Sequence, residues 1–345
     1  MTDPRALDPL AEPSAAQRSA PPRDPGIPDA AAVGAALDRV RAAVATRIVG
    51  QEAVVNEALV AVLARGHVLL EGVPGVAKTL LVRALAGALG ARFGRIQFTP
   101  DLMPSDVTGT SVFRESERRF EFVPGPVFTD LLLADEINRA PAKTQASLLE
   151  AMQERQVTVD GEPRALGPLF SVFATQNPVE YEGTYPLPEA QLDRFLVKVH
   201  VAYPTETEEI RILDMYADGF DPEAPGGATP AAVLGEGELA ALRRAVDAVR
   251  VATEVRGYVA RVVRATRDHD GLTLGGSPRA SVALFRAARA AALLDGREFV
   301  TPDDVKSLAL PVLRHRVVVA PELEVEGRTP DDVLGEVLLR VEAPR

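Results

Sequence analysis

Apolar residues follow two rhythms along this chain. Up to about residue 203, short apolar runs alternate with helical patterns. The runs cover residues 67–71, 95–98, 131–136, 169–175 and 196–201. Short runs of this kind, set between helices, predict parallel strands buried on both faces of a central sheet. The first helix is predicted from Ala36-Leu37, Val40, Ala43-Val44 and Ile48, and a second from about Glu52 to Ala64. Others start at Leu80 and run through Ala146, Leu148-Leu149 and Ala151-Met152. Past Tyr203-Pro204 the strand signals fade, and helices are predicted at about 237–248, 253–268 and 278–294.

Two stretches break the alternation. Residues 99–126 are too long for an ordinary connection in an α/β unit and read as a helix with an inserted hairpin. Residues 154–168 carry Gln156-Val157-Thr158-Val159-Asp160-Gly161, an alternating strand closed by a hairpin dipeptide. Thr301-Pro302-Asp303-Asp304-Val305 and Thr329-Pro330-Asp331-Asp332-Val333 are the same pentapeptide with one chemistry. Each is a helix start, with a Thr cap, Pro at the first position and acids in the first turn. Arg314-His315-Arg316 is expected to close the helix before it. Residues 1–30, rich in Pro, Ala, Asp and Arg, read as a disordered tail. The expected division is a tail at 1–30, an α/β core at 31–203 and an α-helical lid at 204–345.

Composition narrows this picture without redirecting it. The chain has 345 residues, 46% hydrophobic and 25% charged, an ordinary globular balance. Its formal net charge of -11 argues against an overall basic footprint for nucleic acid. There are no cysteines, which excludes disulfides, thiolate metal sites and a cysteine nucleophile. His67, His200, His269 and His315 are scattered without ligand-like spacing and read as structural or surface residues. No apolar run approaches the ~18 residues that cross a bilayer, and no signal pattern opens the chain. A cytoplasmic protein is expected, with no membrane insertion.

Candidate chemistry begins at Glu71-Gly72-Val73-Pro74-Gly75-Val76-Ala77-Lys78-Thr79, between the first strand and Leu80. Strand, glycine loop, lysine, hydroxyl and helix is the order of a phosphate-binding loop. Its backbone N–H groups and the helix N-terminus converge on an anion. Lys78 is expected at the β/γ-phosphates of ATP and Thr79 on Mg2+. Ala77 stands where glycine usually precedes the lysine, tolerable if the backbone there is not left-handed. Val49-Gly50-Gln51, between two helices, is expected against the adenine. The run 131–136 ends in Asp135 and Glu136, at the strand edge where an α/β sheet places its ligand. Asp135 suits Mg2+ through water, and Glu136 suits polarising the attacking water. Asn177 follows another strand and can hold the γ-phosphate or that water without competing for a proton. Arg194, at a turn before the outer strand, is expected to serve a neighbouring subunit's nucleotide. Arg139 is a second interface candidate. Ser277 caps a helix that puts Arg279 in its first turn, from where it is expected to swing over the nucleotide as the lid closes.

These motifs, in this order, resemble those of an AAA+ ATPase of the MoxR family. The resemblance rests on Glu71 to Thr79, Phe98-Thr99-Pro100-Asp101-Leu102, Leu132 to Pro141 and Leu148 to Glu154. It extends through Ala174 to Pro178, Tyr181 to Phe195 and Ser277-Pro278-Arg279, and spans roughly residues 32–345. It answers to Walker A and Walker B motifs, and Ala77 belongs to the family's usual loop. It implies a chaperone-like ATP hydrolase that forms a ring, usually a hexamer. It further implies remodelling, maturation or metal insertion of protein clients, often with a von Willebrand factor A domain partner. The inserted segment 99–126 and the hairpin 154–168 would face the pore or top of the ring. The alternative is a DNA-acting motor or transcriptional activator with the same engine. Against it stand the acidic balance and the lack of the Gly-Ala-Phe-Thr-Gly-Ala loop of sigma-54 activators. A nucleotide switch with negligible turnover is a third class, opposed by the complete catalytic set.

Overall fold

The computed structural model describes residues 28–177 and 183–344. The tail expected at the N-terminus lies outside the described residues up to position 27, as do Pro178, Tyr181 and Glu182 of the motifs above. Helices α1 (Ala30–Ala45) and α2 (Glu52–Leu63) precede strand β1 (Val68–Glu71) and helix α3 (Lys78–Ala88). Strand β2 (Phe93–Gln97) leads to the short helix α4 (Pro104–Thr108) and a hairpin of β3 (Gly109–Arg114) and β4 (Arg119–Pro124). Strand β5 (Leu131–Asp135) and helix α5 (Ala142–Glu154) come next, then a second hairpin of β6 (Gln156–Val159) and β7 (Glu162–Ala165). Strand β8 (Ser171–Gln176), helix α6 (Glu189–Leu192) and strand β9 (Val197–His200) complete this part. Helices then dominate: α7 (Glu206–Ala217), α8 (Glu238–Ala248), α9 (Thr253–Ala265), α10 (Pro278–Leu294), α11 (Pro302–Leu313), α12 (Pro321–Val325) and α13 (Pro330–Arg340). A small antiparallel pair, β10 (Leu272–Leu274) and β11 (Val318–Val319), lies among them.

The main sheet has five parallel strands in the order β2-β5-β8-β1-β9. Its alternate residues feed two cores. Val68, Leu70, Leu131, Leu133 and Phe173 face one side, with α1, α2, α3 and the C-terminal helices. Leu69, Leu132, Ala134, Val172 and Ala174 face the other, with α5. All five residues of β5 are buried, as the apolar run predicted. Each large aliphatic side chain so buried contributes about 1.5–3 kcal/mol. Both Thr-Pro-Asp-Asp starts behave as expected. The Thr301 hydroxyl accepts from Asp304 N and the Thr329 hydroxyl from Asp332 N, each in a full capping box. Both expected hairpins are present.

The helical part is bolted to the sheet through a buried cation. Arg243 of α8 is 2% exposed. It donates to the carbonyls of Val62 (2.8 Å), Pro168 (2.8 Å) and Leu169 (3.3 Å), and to Ser171 Oγ (3.1 Å). Burial, reinforced by Arg155 and Arg65, pulls its pKa down to about 9.

Candidate active site

Parallel strands present all their C-terminal ends on one edge, and the expected phosphate loop leaves that edge from β1. Gly72 is forced by packing: a Cβ there would lie 2.5 Å from Val201 O. Its N–H donates to Gln176 O at the end of β8 (3.3 Å). Gly75 has φ +87° and takes the left-handed turn a side chain resists. Ala77 has φ 59° and ψ 24°, so the condition set by the sequence fails: the backbone is left-handed at an alanine. A Cβ crowds the following carbonyl there, at roughly 1–2 kcal/mol. Lys78 opens α3, and its ammonium donates to the carbonyls of Gly72 and Val73 (3.2 Å to the latter), inside the loop.

A cavity of ≈ 180 Å³ adjoins the loop. Val49 and Gln51 line it with Gly75, Val76, Ala77 and Leu80, as expected of an adenine contact. Gly50 and Gln51 are both left-handed (φ 66° and 61°), and a Cβ on Gly50 would strike the Glu208 carboxylate. Gln51 Nε2 donates to Val76 O (3.2 Å), while its Oε1 is buried without a partner. The mostly apolar walls of the cavity suit a planar base such as adenine. The far wall is Ile212, Met215 and Tyr216 of α7 with Phe220.

Asp135 and Glu136 close β5 beside the loop. Thr79 Oγ1 lies 3.5 Å from Asp135 Oδ2, so the two oxygens expected on Mg2+ converge. Hard oxygens in that number suit Mg2+, which takes one or two protein ligands and completes its shell with phosphate and water. Thr175 of β8 bridges the acids, donating to Asp135 Oδ1 (2.7 Å) and accepting from Glu136 N (2.8 Å). Glu136 is itself left-handed (φ 56°). Its carboxylate is held by Gln97 Nε2 (2.7 Å) and by Arg139 Nε (3.2 Å) of its own chain. Arg95 Nη2 pairs with Asp135 (2.8 Å). Asn177 is buried just past β8, next to the loop because Gln176 pairs with Glu71.

The remaining two arginines lie elsewhere. Arg194 precedes β9, whose start is in register with the start of β1. It is therefore at the opposite edge of the sheet from the loop, a strand length of about 13 Å away. Its Nε donates to Gln153 Oε1 (3.1 Å). Arg279, expected to swing over the nucleotide as the lid closes, lies away from the phosphate loop in this structure. It lines the same ≈ 540 Å³ cavity as Arg194, together with Gly66 and His67 from the start of β1. The cause is the docking of α10. Ser277 caps it as expected, accepting from Arg279 N, but Arg286 farther along reaches Ala64 O beneath the sheet.

Comparison with known proteins places the fold in a family. Residues 67–197 match the model of the ATPase family associated with various cellular activities, and residues 264–337 match an AAA lid domain. The chain is 45% identical to Chaperone MoxR1 of Mycobacterium tuberculosis, over 90% of this chain and 82% of that one. It is 48% identical to protein YeaC of Bacillus subtilis, over 86% and 91%, and 35% identical to protein MoxR of Paracoccus denitrificans, over 80% and 87%. A crystal structure from Cytophaga hutchinsonii superposes with a TM-score of 0.84 at 37% identity, covering 92% of this chain and 97% of that one. The chain belongs to the MoxR family of AAA+ ATPases. The fold is the α/β one expected of that family, a phosphate-loop core with a central parallel sheet followed by a smaller helical lid.

Several side chains around the phosphate loop and the acids of this MoxR-family chain escaped the motif reading. Gln97 and Arg95 lie on β2, and register alone brings Gln97 opposite Asp135. Glu71 holds Lys198 (2.7 Å) and His200 (3.2 Å) of β9 at the root of the loop. Burial raises its pKa, but the bonds from His200 and Lys198 outweigh burial and bring it to about 2. Arg314 does cap its helix, but the cluster does more than that. Arg316 grips Asp193 (2.7 Å) and the carbonyls of residues 193, 195 and 196, and His315 pairs with Phe195 O (3.0 Å). Together they clamp the turn that bears Arg194. His67 is a core residue as expected. Its Nδ1 accepts from Val172 N (2.9 Å), and burial brings its pKa to about 3.

Proposed function

We propose that this chain hydrolyses ATP within a ring of its own copies and uses the cycle to remodel partner proteins. The observation that carries this is the division of the site. Loop, acids and Asn177 share one edge of the sheet, while Arg194 and Arg279 share the other. A head-to-tail contact between copies brings the two edges together, and such contacts close into rings. In this reading Val49, Gly50 and Gln51 hold the adenine, and residues 72–80 wrap the phosphates. Lys78 leaves its two loop carbonyls for phosphate oxygens. Thr79 and Asp135 would hold Mg2+, which supplies charge neutralisation on the phosphates. Glu136 orients and polarises the attacking water, and Asn177 fixes its position. Arg194 and Arg279 of the next subunit stabilise charge on the transferred group.

A hexamer, a cytoplasmic setting and a von Willebrand factor A domain partner complete the proposal, with client maturation or metal insertion as the work. The hairpins β3–β4 and β6–β7 are its client-facing parts. Phe113 and Phe120 of the first, 49% and 73% exposed, are apolar surface that the chain does not cover itself. The acidic balance continues to disfavour a DNA motor.

The test is direct. Glu136→Gln should bind ATP and lose turnover by roughly 10²-fold or more, since it keeps the shape and removes the base. Phosphate release near the parent rate would remove Glu136 from its role. Arg194→Ala mixed with Lys78→Ala should regain activity that neither has alone. A mixture no better than its parts would count against completion by a second copy.

A further inference from the structure

The cavity that holds Arg194 and Arg279 is more cationic than two phosphate-sensing residues require. Arg65, Arg155, Arg194, Arg279, Arg286 and Arg316 line it, against one carboxylate, Asp193, among its described lining residues. Two of the six are neutralised. Arg65 is paired with Asp247 (2.7 Å) and Arg316 with Asp193 (2.7 Å). Three of the others hold neutral oxygens. Arg155 donates to Arg65 O (2.8 Å) and Phe170 O (3.3 Å), Arg194 to Gln153 Oε1 and Arg286 to Ala64 O. Arg279 and Arg286 are exposed, while Arg155 and Arg194 are half-buried.

The backbone fixes this convergence. Arg279, Val282, Ala283 and Arg286 recur at helical spacing and form one face of α10, all on the cavity. The two arginines stand about 10 Å apart along the axis. Arg155 ends α5 in the left-handed region (φ 53°), which turns it away from the helix. Crowded cations of this kind carry a cost when empty. Burial, then Arg286 and Arg65, depresses the pKa of Arg155. A polyanion entering the cavity would reverse that cost.

We propose that the cavity is a four-arginine cup for the terminal phosphates of a nucleotide carried by a second copy of this chain, with Arg155 and Arg286 contacting phosphate alongside Arg194 and Arg279. This rests on the reading that the site is completed by the neighbour, and it adds two contacts to it. Guanidinium forks match phosphate oxygens in pairs, so four forks suit a di- or triphosphate better than a single phosphate.

The first experiment isolates the cup from the chain's own loop. In a Lys78→Ala background, inorganic tripolyphosphate is titrated by calorimetry at low salt. One site per chain is expected, weakened roughly tenfold or more by adding Arg286→Gln, as loss of a charged hydrogen bond implies. Arg286→Lys should recover part of the binding. No binding in the Lys78→Ala chain, or binding indifferent to Arg286→Gln, overturns the cup. The second experiment uses assembled protein. Arg286→Gln alone should lose hydrolysis yet bind a fluorescent ATP analogue normally at its intact loop. Mixed with Lys78→Ala it should regain activity, because the intact loop then meets an intact cup. Recovery with Arg194→Ala but not with Arg286→Gln would sink the cup and leave the neighbour-completed site standing. Failure of both mixtures would sink that reading as well. Arg155→Gln is assayed beside it, and normal hydrolysis by that variant removes Arg155 from the cup.

Discussion

Replacing Ala77 by glycine should be nearly free, although the same change in an ordinary helix is not. Ala77 is left-handed, with φ 59° and ψ 24°. Relieving the Cβ clash there returns roughly 1–2 kcal/mol. Glycine's greater freedom in the unfolded chain takes back about 0.5–1 kcal/mol. Ala77 is also partly buried against the main core, and losing a methyl costs at most about 0.8 kcal/mol. The sum lies between a loss of about 0.8 and a gain of about 1.5 kcal/mol. The control is Ala260, exposed in the middle of α9, where glycine should cost about 1 kcal/mol by propensity alone. Both variants are unfolded in urea and followed by circular dichroism, with midpoints compared at equal slope. Ala77→Val sharpens the contrast, because a β-branched residue tolerates the left-handed region worst, and it should be the least stable of the three. If Ala77→Gly loses as much as Ala260→Gly, or Ala77→Val is harmless, the loop does not hold the turn described. ATP affinity offers a second reading: it should fall only modestly in Ala77→Gly, since the N–H groups keep their directions.

Two other outcomes are expected. Among the described residues Gln97 and Arg139 hold the Glu136 carboxylate, so Gln97→Leu should raise basal hydrolysis by up to roughly tenfold with nucleotide affinity unchanged. An equal or lower phosphate-release rate in a folded variant would show that Gln97 does not restrain the base. Glu57 is the second case. Burial, opposed by Arg314 and His200, raises its pKa from 4.5 to about 7. The folded chain therefore keeps a proton that the unfolded one releases, and the stability this gives is full below pH 4.5 and lost as pH rises through about 7. Glu57→Gln should raise the melting temperature at pH 8, by an amount equivalent to roughly 1–3 kcal/mol, and by little at pH 4.5. A gain that is the same at both pH values would exclude titration of Glu57 as the cause.

What could be read from the residues depended on whether local chemistry or tertiary placement decides it. Asp135 and Glu136 were legible because a buried apolar run that ends in two acids has few other uses. The capping pentapeptides were legible because caps are local. Gln97, Arg95 and Thr175 carried no signal of their own. Each is an ordinary polar residue in a strand, and only the pairing of β2 with β5 and of β5 with β8 brings it to the acids. Arg243 offered a signal that went unused. Leu239, Leu242, Arg243 and Val246 form the buried stripe of α8, so the arginine sat where the pattern demanded an apolar residue. A cation in such a stripe must find carbonyls, and it finds three.

The two arginines show the limit most clearly. In a parallel sheet a residue that follows a strand lands on one edge and a residue that precedes a strand lands on the other. Asn177 follows β8 and Arg194 precedes β9, so their opposite placement could be argued from order alone. Arg279 belongs to neither class. It sits in the first turn of a helix far from any strand of the main sheet, and its edge is set by where α10 docks. That docking depends on Arg286 reaching Ala64 O and on Arg316 and His315 gripping the turn before β9. These contacts join residues more than a hundred positions apart, and no spacing in the chain encodes them. The motif order placed Arg194 toward a neighbour and Arg279 over the chain's own nucleotide, whereas the packing of α10 puts both on one cavity.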